Sequence, residues 1–143
     1  MKFLRHLYSI YNYKYIKRKP LSKKIREIVY AKYDGHCAYC GCELEMRQMQ
    51  VDHIKSVYVS TAQNGWNATQ DDSIENLMLS CRQCNFYKGV GNIEYLRRML
   101  KDTLYHTCVD NFQAKLAMKY GILTLNHWDG LFFFEKHNKQ LKF

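Results

Sequence analysis

Two short cysteine turns, Cys37-Ala-Tyr-Cys40 and Cys81-Arg-Gln-Cys84, constrain this chain more than any other feature. A CxxC turn lets both sulfurs reach one tetrahedral ion, and two such turns supply the four thiolates of a closed structural Zn²⁺ site. Forty residues separate the pairs, more than in a compact zinc ribbon. Such a site clamps distant parts of the chain together and stabilises folding rather than performing chemistry. Cys42, two residues past Cys40, is a competing ligand, although CxxC suits one metal better than CxC. Cys108 stands alone and reads as a small buried hydrophobe. His36 borders the site and reads as exposed.

The 143 residues suit one domain of ordinary size, and 47% hydrophobic residues supply a core. The net charge of +9 is unevenly placed. Lys2, Arg5, Lys14, Lys17, Arg18, Lys19, Lys23, Lys24 and Arg26 all precede the first acid, Glu27. From Glu27 onward, 13 basic residues balance 13 acidic ones. A concentrated positive field attracts polyanions, and nucleic acid is the commonest in a cell. Tyr8, Tyr11, Tyr13 and Tyr15 interleave with these cations. Charges interrupt every apolar run of this arm, which argues against a secretory signal. No stretch approaches transmembrane length. The paired cysteines then imply a reducing compartment and a cytoplasmic location.

Ser22 suits the cap of a helix running to about Tyr33, with Ile25, Ile28 and Val29 as its buried stripe and Gly35 as its stop. Residues 49–54 (MQVDHI) and 76–80 (NLMLS) predict two strands, and residues 56–75 a long polar loop. A short helix follows Cys84 through Lys88, Asn92 opens another, and residues 110–120 predict a further one. Residues 122–136 predict a hairpin, because Asp129-Gly130 suits a type I′ turn. The run Phe132-Phe134 reads as core or interface.

Between the cysteine turns lie Asp52 and His53, adjacent on the first strand, with Asn76 opening the second and Asn85 directly behind Cys84. Helix, CAYCG, strand, VDHI, variable loop and NLMLSCRQCNFYKG in this order resemble the HNH endonucleases. The resemblance covers about residues 22–100, and it is the joint order, not any single motif, that is specific. It implies an α+β fold: a small ββα-metal core stapled by a four-cysteine zinc site, with flanking helices and a C-terminal β-hairpin. The expected organisation is a basic aromatic arm (1–21), the nuclease core (22–105), and a C-terminal helix and hairpin (106–143) packed on the same domain.

The resemblance further implies roles. His53 becomes the general base, Asn76 the brace of the loop, and Asp52 and Asn85 the ligands of a catalytic divalent cation, making this an H-N-N variant. Cys37, Cys40, Cys81 and Cys84 hold the zinc. Lys88 falls where the family faces the phosphate backbone or the helix end. An imidazole can accept a water proton near neutral pH. Hard cations such as Mg²⁺ or Mn²⁺ prefer oxygen donors like Asp52 and Asn85. The implied function is a metal-dependent DNA endonuclease, bacterial or phage-encoded, acting on double-stranded DNA. Lys14, Lys17, Arg18, Lys19, Lys23 and Lys88 are its candidate DNA contacts. A homodimer would serve double-strand cleavage, with residues 122–136 as the candidate contact. The competing expectations are a non-catalytic zinc-binding DNA-binding module and a structural zinc protein with a protein partner. One tension is physical. Neighbours on a flat strand point to opposite faces, so Asp52 and His53 address one phosphate only if the strand twists or ends there.

Overall fold

The computed structural model describes residues 19–61, 65–68 and 71–137. The expectations for Lys14, Lys17, Arg18 and the arm's tyrosines lie outside the described residues. Helix α1 (Lys23–Lys32) starts where the Ser22 hydroxyl accepts the Ile25 N–H at 3.2 Å. It stops at Asp34 and Gly35, both in the left-handed region (φ 49° and 69°). Its stripe is narrower than expected. Val29 is wholly buried and Ile25 partly, whereas Ile28 is 41% exposed. At its end, the Lys32 ammonium reaches the carbonyls of Ile74 (2.9 Å) and Leu77 (3.1 Å).

Strand β1 (Gln50–His53) pairs antiparallel with the later strand β4 (Leu77–Ser80), setting Val51 opposite Leu79, Asp52 opposite Met78 and His53 opposite Leu77. All four residues of β4 are buried. A strand covered on both faces reads as a continuous apolar run rather than an alternation, which is why NLMLS looks as it does. Between these strands the chain is not one long loop. β2 (Tyr58–Thr61) and β3 (Gly65–Ala68) form a second antiparallel pair. A single 3₁₀ turn, Ile74–Asn76, leads into β4. Helix α2 (Arg82–Lys88) then packs across β1 and ends at Gly89, φ 54°.

Asn92 caps α3 (Ile93–Arg98), whose Ile93 and Leu96 enter the core. The helix continues through a π-helical stretch (Met99–Leu104) into α4 (Tyr105–Asp110), and α5 (Phe112–Lys119) follows. Cys108, expected to be buried, is half-buried.

The C-terminal hairpin does not form. Residues 122–132 are irregular and α6 (Phe133–His137) closes the described chain. The segment pairs with the first cysteine turn rather than with a second strand of its own: Phe133 N–H donates to the Tyr39 carbonyl (3.0 Å) and Phe134 N–H to that of Ala38 (2.8 Å). Phe132 and Phe134, each 1% exposed, complete the core with Val29, Tyr33, Leu77, Leu79 and Leu96. Burying an aromatic side chain this fully contributes more than a two-stranded ribbon on the surface could. Arg97 fastens the segment from α3, pairing with Glu135 at 2.6 Å beneath the Phe132 ring.

Candidate active site and metal centre

The sulfurs of Cys37, Cys40, Cys81 and Cys84 all lie within 4.8 Å of one another. A tetrahedron with Zn–S bonds of about 2.3 Å has edges of about 3.8 Å, and the Cys40–Cys81 pair stands at 3.9 Å. Backbone N–H groups point at these sulfurs, as thiolates require: Cys81 N to Cys37 Sγ at 3.3 Å and Cys84 N to Cys81 Sγ at 3.4 Å. Hydrogen bonds from Cys37 and Cys84 pull the Cys40 thiol down to about 3. Burial, followed by the Cys40 sulfur, pushes the Cys42 thiol up to about 12. It is geometry that sets Cys42 apart, since it is not in the group of four sulfurs within 4.8 Å of one another, and that four-sulfur set fits one soft-tolerant divalent ion. Gly41 makes the first turn possible. Its φ is 76°, and a Cβ there would meet the Phe133 ring at 2.5 Å. His36, expected to be exposed, is half-buried and stacks on Phe133.

Each cysteine turn also delivers side chains to β1. Tyr39, inside the first turn, donates its hydroxyl to Asp52 Oδ2. Lys88, one turn past Asn85 on α2, sits 3.1 Å from both Asp52 oxygens and 2.9 Å from the His53 carbonyl. It is 1% exposed. That placement departs from the reading of Lys88 as a surface contact for phosphate: its ammonium is spent on a buried carboxylate. Burial together with the Asp52 charge raises the Tyr39 hydroxyl far beyond the ordinary phenol range, so it remains a donor. Asn85 donates to Gln50 Oε1 at 2.6 Å. Gln50 and Asp52, two apart on β1, therefore face α2 together, as strand alternation dictates.

His53 ends β1 and points elsewhere. Its Nε2 lies 2.9 Å from Asp72 Oδ1, with the two side chains only 7% and 24% exposed. Strand β1 ends at His53, so the alternation that made the Asp52–His53 pair difficult does not continue past it. Asn76 binds the neck of the loop. Its carbonyl oxygen accepts the Lys55 N–H (2.8 Å), and its amide donates to the Asp71 carbonyl (2.8 Å). Asp71 in turn accepts the Ser73 N–H at 3.1 Å, and its carboxyl is lowered by the Ser73 hydroxyl first and by this N–H second.

So the fold gathers Asp52, Lys88 and Tyr39 in one cluster, Asn85 and Gln50 beside it, and His53, Asp72 and the Asn76 brace at the strand end. Lys19 is exposed, and Lys23 is exposed and loosely paired with Glu27 at 3.8 Å. Tyr39, Gln50 and Asp72 were not singled out from sequence. The only signal for Asp72 was its place in the acidic pair Asp71-Asp72 four residues before Asn76. No helix among the described residues is long and apolar enough to cross a membrane.

Residues 37–90 match the family model "HNH endonuclease". No curated protein matches the chain. Solved structures similar to it include the Type II-C Cas9 enzyme from Actinomyces naeslundii, at 21% identity and a TM-score of 0.43, over 66% of this chain and 9% of that one. The match to the HNH endonuclease family therefore falls on the span from the first cysteine turn to just past α2, which holds the antiparallel β1–β4 pair and the four-sulfur cluster.

Proposed function

We propose that this domain hydrolyses phosphodiester bonds in double-stranded DNA, with His53 as general base and a zinc ion held by Cys37, Cys40, Cys81 and Cys84 as its scaffold. The observation that carries the reading is the seat of His53. It ends the family's first strand, buried, with a carboxylate on one ring nitrogen and the Asn76 brace closing the loop beside it. A neutral imidazole so held takes a proton from a water aimed at the phosphorus. Asn76 keeps the loop from swinging over that water. The products are a 5′-phosphate and a 3′-hydroxyl.

Asp52 and Asn85 are the residues that would hold Mg²⁺ or Mn²⁺, which when bound neutralises charge on the scissile phosphate and leaving oxygen. Their donor chemistry fits a hard cation, and both sit where α2 meets β1. Lys88 already neutralises Asp52, so a cation competes with an ammonium for that carboxylate. This competition favours a second reading, a non-catalytic zinc-binding DNA-binding module. Plasmid nicking with Mg²⁺ or Mn²⁺ separates the two. We expect cleavage by the wild type and at least a ~100-fold loss in His53→Ala. Equal cutting by both proteins, or DNA binding with no cutting by either, rejects the enzymatic reading.

A further inference from the structure

We propose that Asp72 is a positioning residue for His53, fixing the proton on Nε2 so that the ring's basic lone pair falls on Nδ1. The inference rests on His53 acting as the general base, and it adds the residue that aims it.

The geometry is specific. Asp72 Oδ1 is 2.9 Å from His53 Nε2, within hydrogen-bond range, and both side chains are largely withdrawn from water. A carboxylate accepts and cannot donate when ionised, so the ring nitrogen facing it must carry the hydrogen. In a neutral imidazole the other nitrogen is then the acceptor. Asp72 does not reach this position by chance of a loose loop. Its neighbours on both sides are tied down: the Asp71 carbonyl by the Asn76 amide at 2.8 Å, and the Ser73 N–H by the Asp71 carboxylate at 3.1 Å. The Ser73 carbonyl also accepts the Asn76 N–H at 3.0 Å. Asn76 therefore does two things. It closes the loop at Lys55, and it seats Asp72 on the base.

A plain latch between loop and strand would show the same geometry, so the test reads the ring itself. Ring-nitrogen NMR of His53 in the zinc-loaded protein, recorded without DNA at a pH where the ring is neutral, should show the proton on Nε2. Asp72→Asn can offer an amide N–H to that nitrogen and should move the proton toward Nδ1. Asp72→Ala should leave a mixture, and supplies the result should the amide variant fail to fold. Asp72→Glu should restore Nε2–H. Single-turnover cleavage should fall about 10–100-fold in Asp72→Asn with DNA affinity unchanged, and recover partly in Asp72→Glu.

A wild-type ring protonated on Nδ1, a tautomer indifferent to both Asp72→Asn and Asp72→Ala, or a shifted tautomer with a cleavage rate within about twofold of wild type, overturns the proposal. Wild type that cuts no DNA sinks the nuclease reading alone, because the ring signals are obtained without turnover.

Discussion

Lys88→Met is the most direct test of how the candidate site is held. The change keeps most of the buried stem and deletes only the ammonium that faces Asp52 at 3.1 Å. Coulomb's law at an effective dielectric of about 20 gives about 5 kcal/mol of attraction at that distance. Desolvating two ions costs several kcal/mol each, so the intact pair contributes little net stability. Removing one partner is different. The carboxylate would remain buried, with the Tyr39 hydroxyl as its remaining partner of the two. Breaking a buried pair in this way costs about 3–5 kcal/mol, against a total stability of about 5–15 kcal/mol for an ordinary domain. Urea unfolding of the zinc-loaded protein measures it. With a slope of about 2 kcal/mol per molar, the midpoint should fall by about 2 M. Adding Asp52→Asn to Lys88→Met should recover most of that loss, because a neutral amide no longer needs the ammonium. A Lys88→Met protein within about 1 kcal/mol of wild type would refute the buried pair, and the phosphate-facing role expected from sequence would return.

Removing residues 1–20 deletes six cations, Lys2, Arg5, Lys14, Lys17, Arg18 and Lys19. DNA affinity should weaken, and the slope of log affinity against log salt should become shallower by about 0.9 for each phosphate these cations neutralise, as a binding titration at several salt concentrations would show. Cys81→Ser should unfold the chain, since zinc contributes roughly 10–16 kcal/mol in comparable sites; metal content and circular dichroism read the result, and a folded, metal-free variant would speak against a structural zinc. Burial pushes the Glu135 carboxyl up, but hydrogen bonds from Arg97 and the Phe132 N–H outweigh it and hold it below its usual value. A lowered carboxyl stabilises the fold above its unfolded value and loses that contribution as pH falls through the folded one. The stability gap between wild type and Glu135→Gln should therefore close on acidification below about pH 4.

Local chemistry was legible from the sequence and distant pairing was not. Ser22, Gly35, Gly89 and Asn92 announce their helix ends because caps and left-handed turns act within four residues. The buried strand Leu77–Ser80 shows as an apolar run for the same local reason. The errors at the candidate site and in the C-terminal segment involve a partner far along the chain, whereas the β2–β3 pair missed within residues 56–75 is local. Phe132–Phe134 looked like half of a hairpin because Asp129-Gly130 promises a turn, yet its backbone partners are Ala38 and Tyr39. Lys88 looked like a surface cation because lysine is almost never buried unpaired, and its carboxylate lies 36 residues earlier. Asp72 hid in a polar stretch that read as plain loop, where nothing local points back to His53.

The same distances tie the four-sulfur cluster to the candidate catalytic residues. The turn that supplies Cys37 and Cys40 also presents Tyr39 to one oxygen of Asp52. The turn that supplies Cys81 and Cys84 opens α2, which presents Lys88 to the same carboxylate and Asn85 to Gln50. Asp52 thus receives one partner from each half of the metal site. Neither half touches the other through a regular ladder, although Ala38 does bond to Leu79 at 2.8 Å. A short, buried sheet of two strands has little stability of its own. An ion joining the two turns would fix Tyr39 and Lys88 on either side of Asp52, which would make the carboxylate's environment a consequence of the sulfur cluster rather than of the strand that carries it.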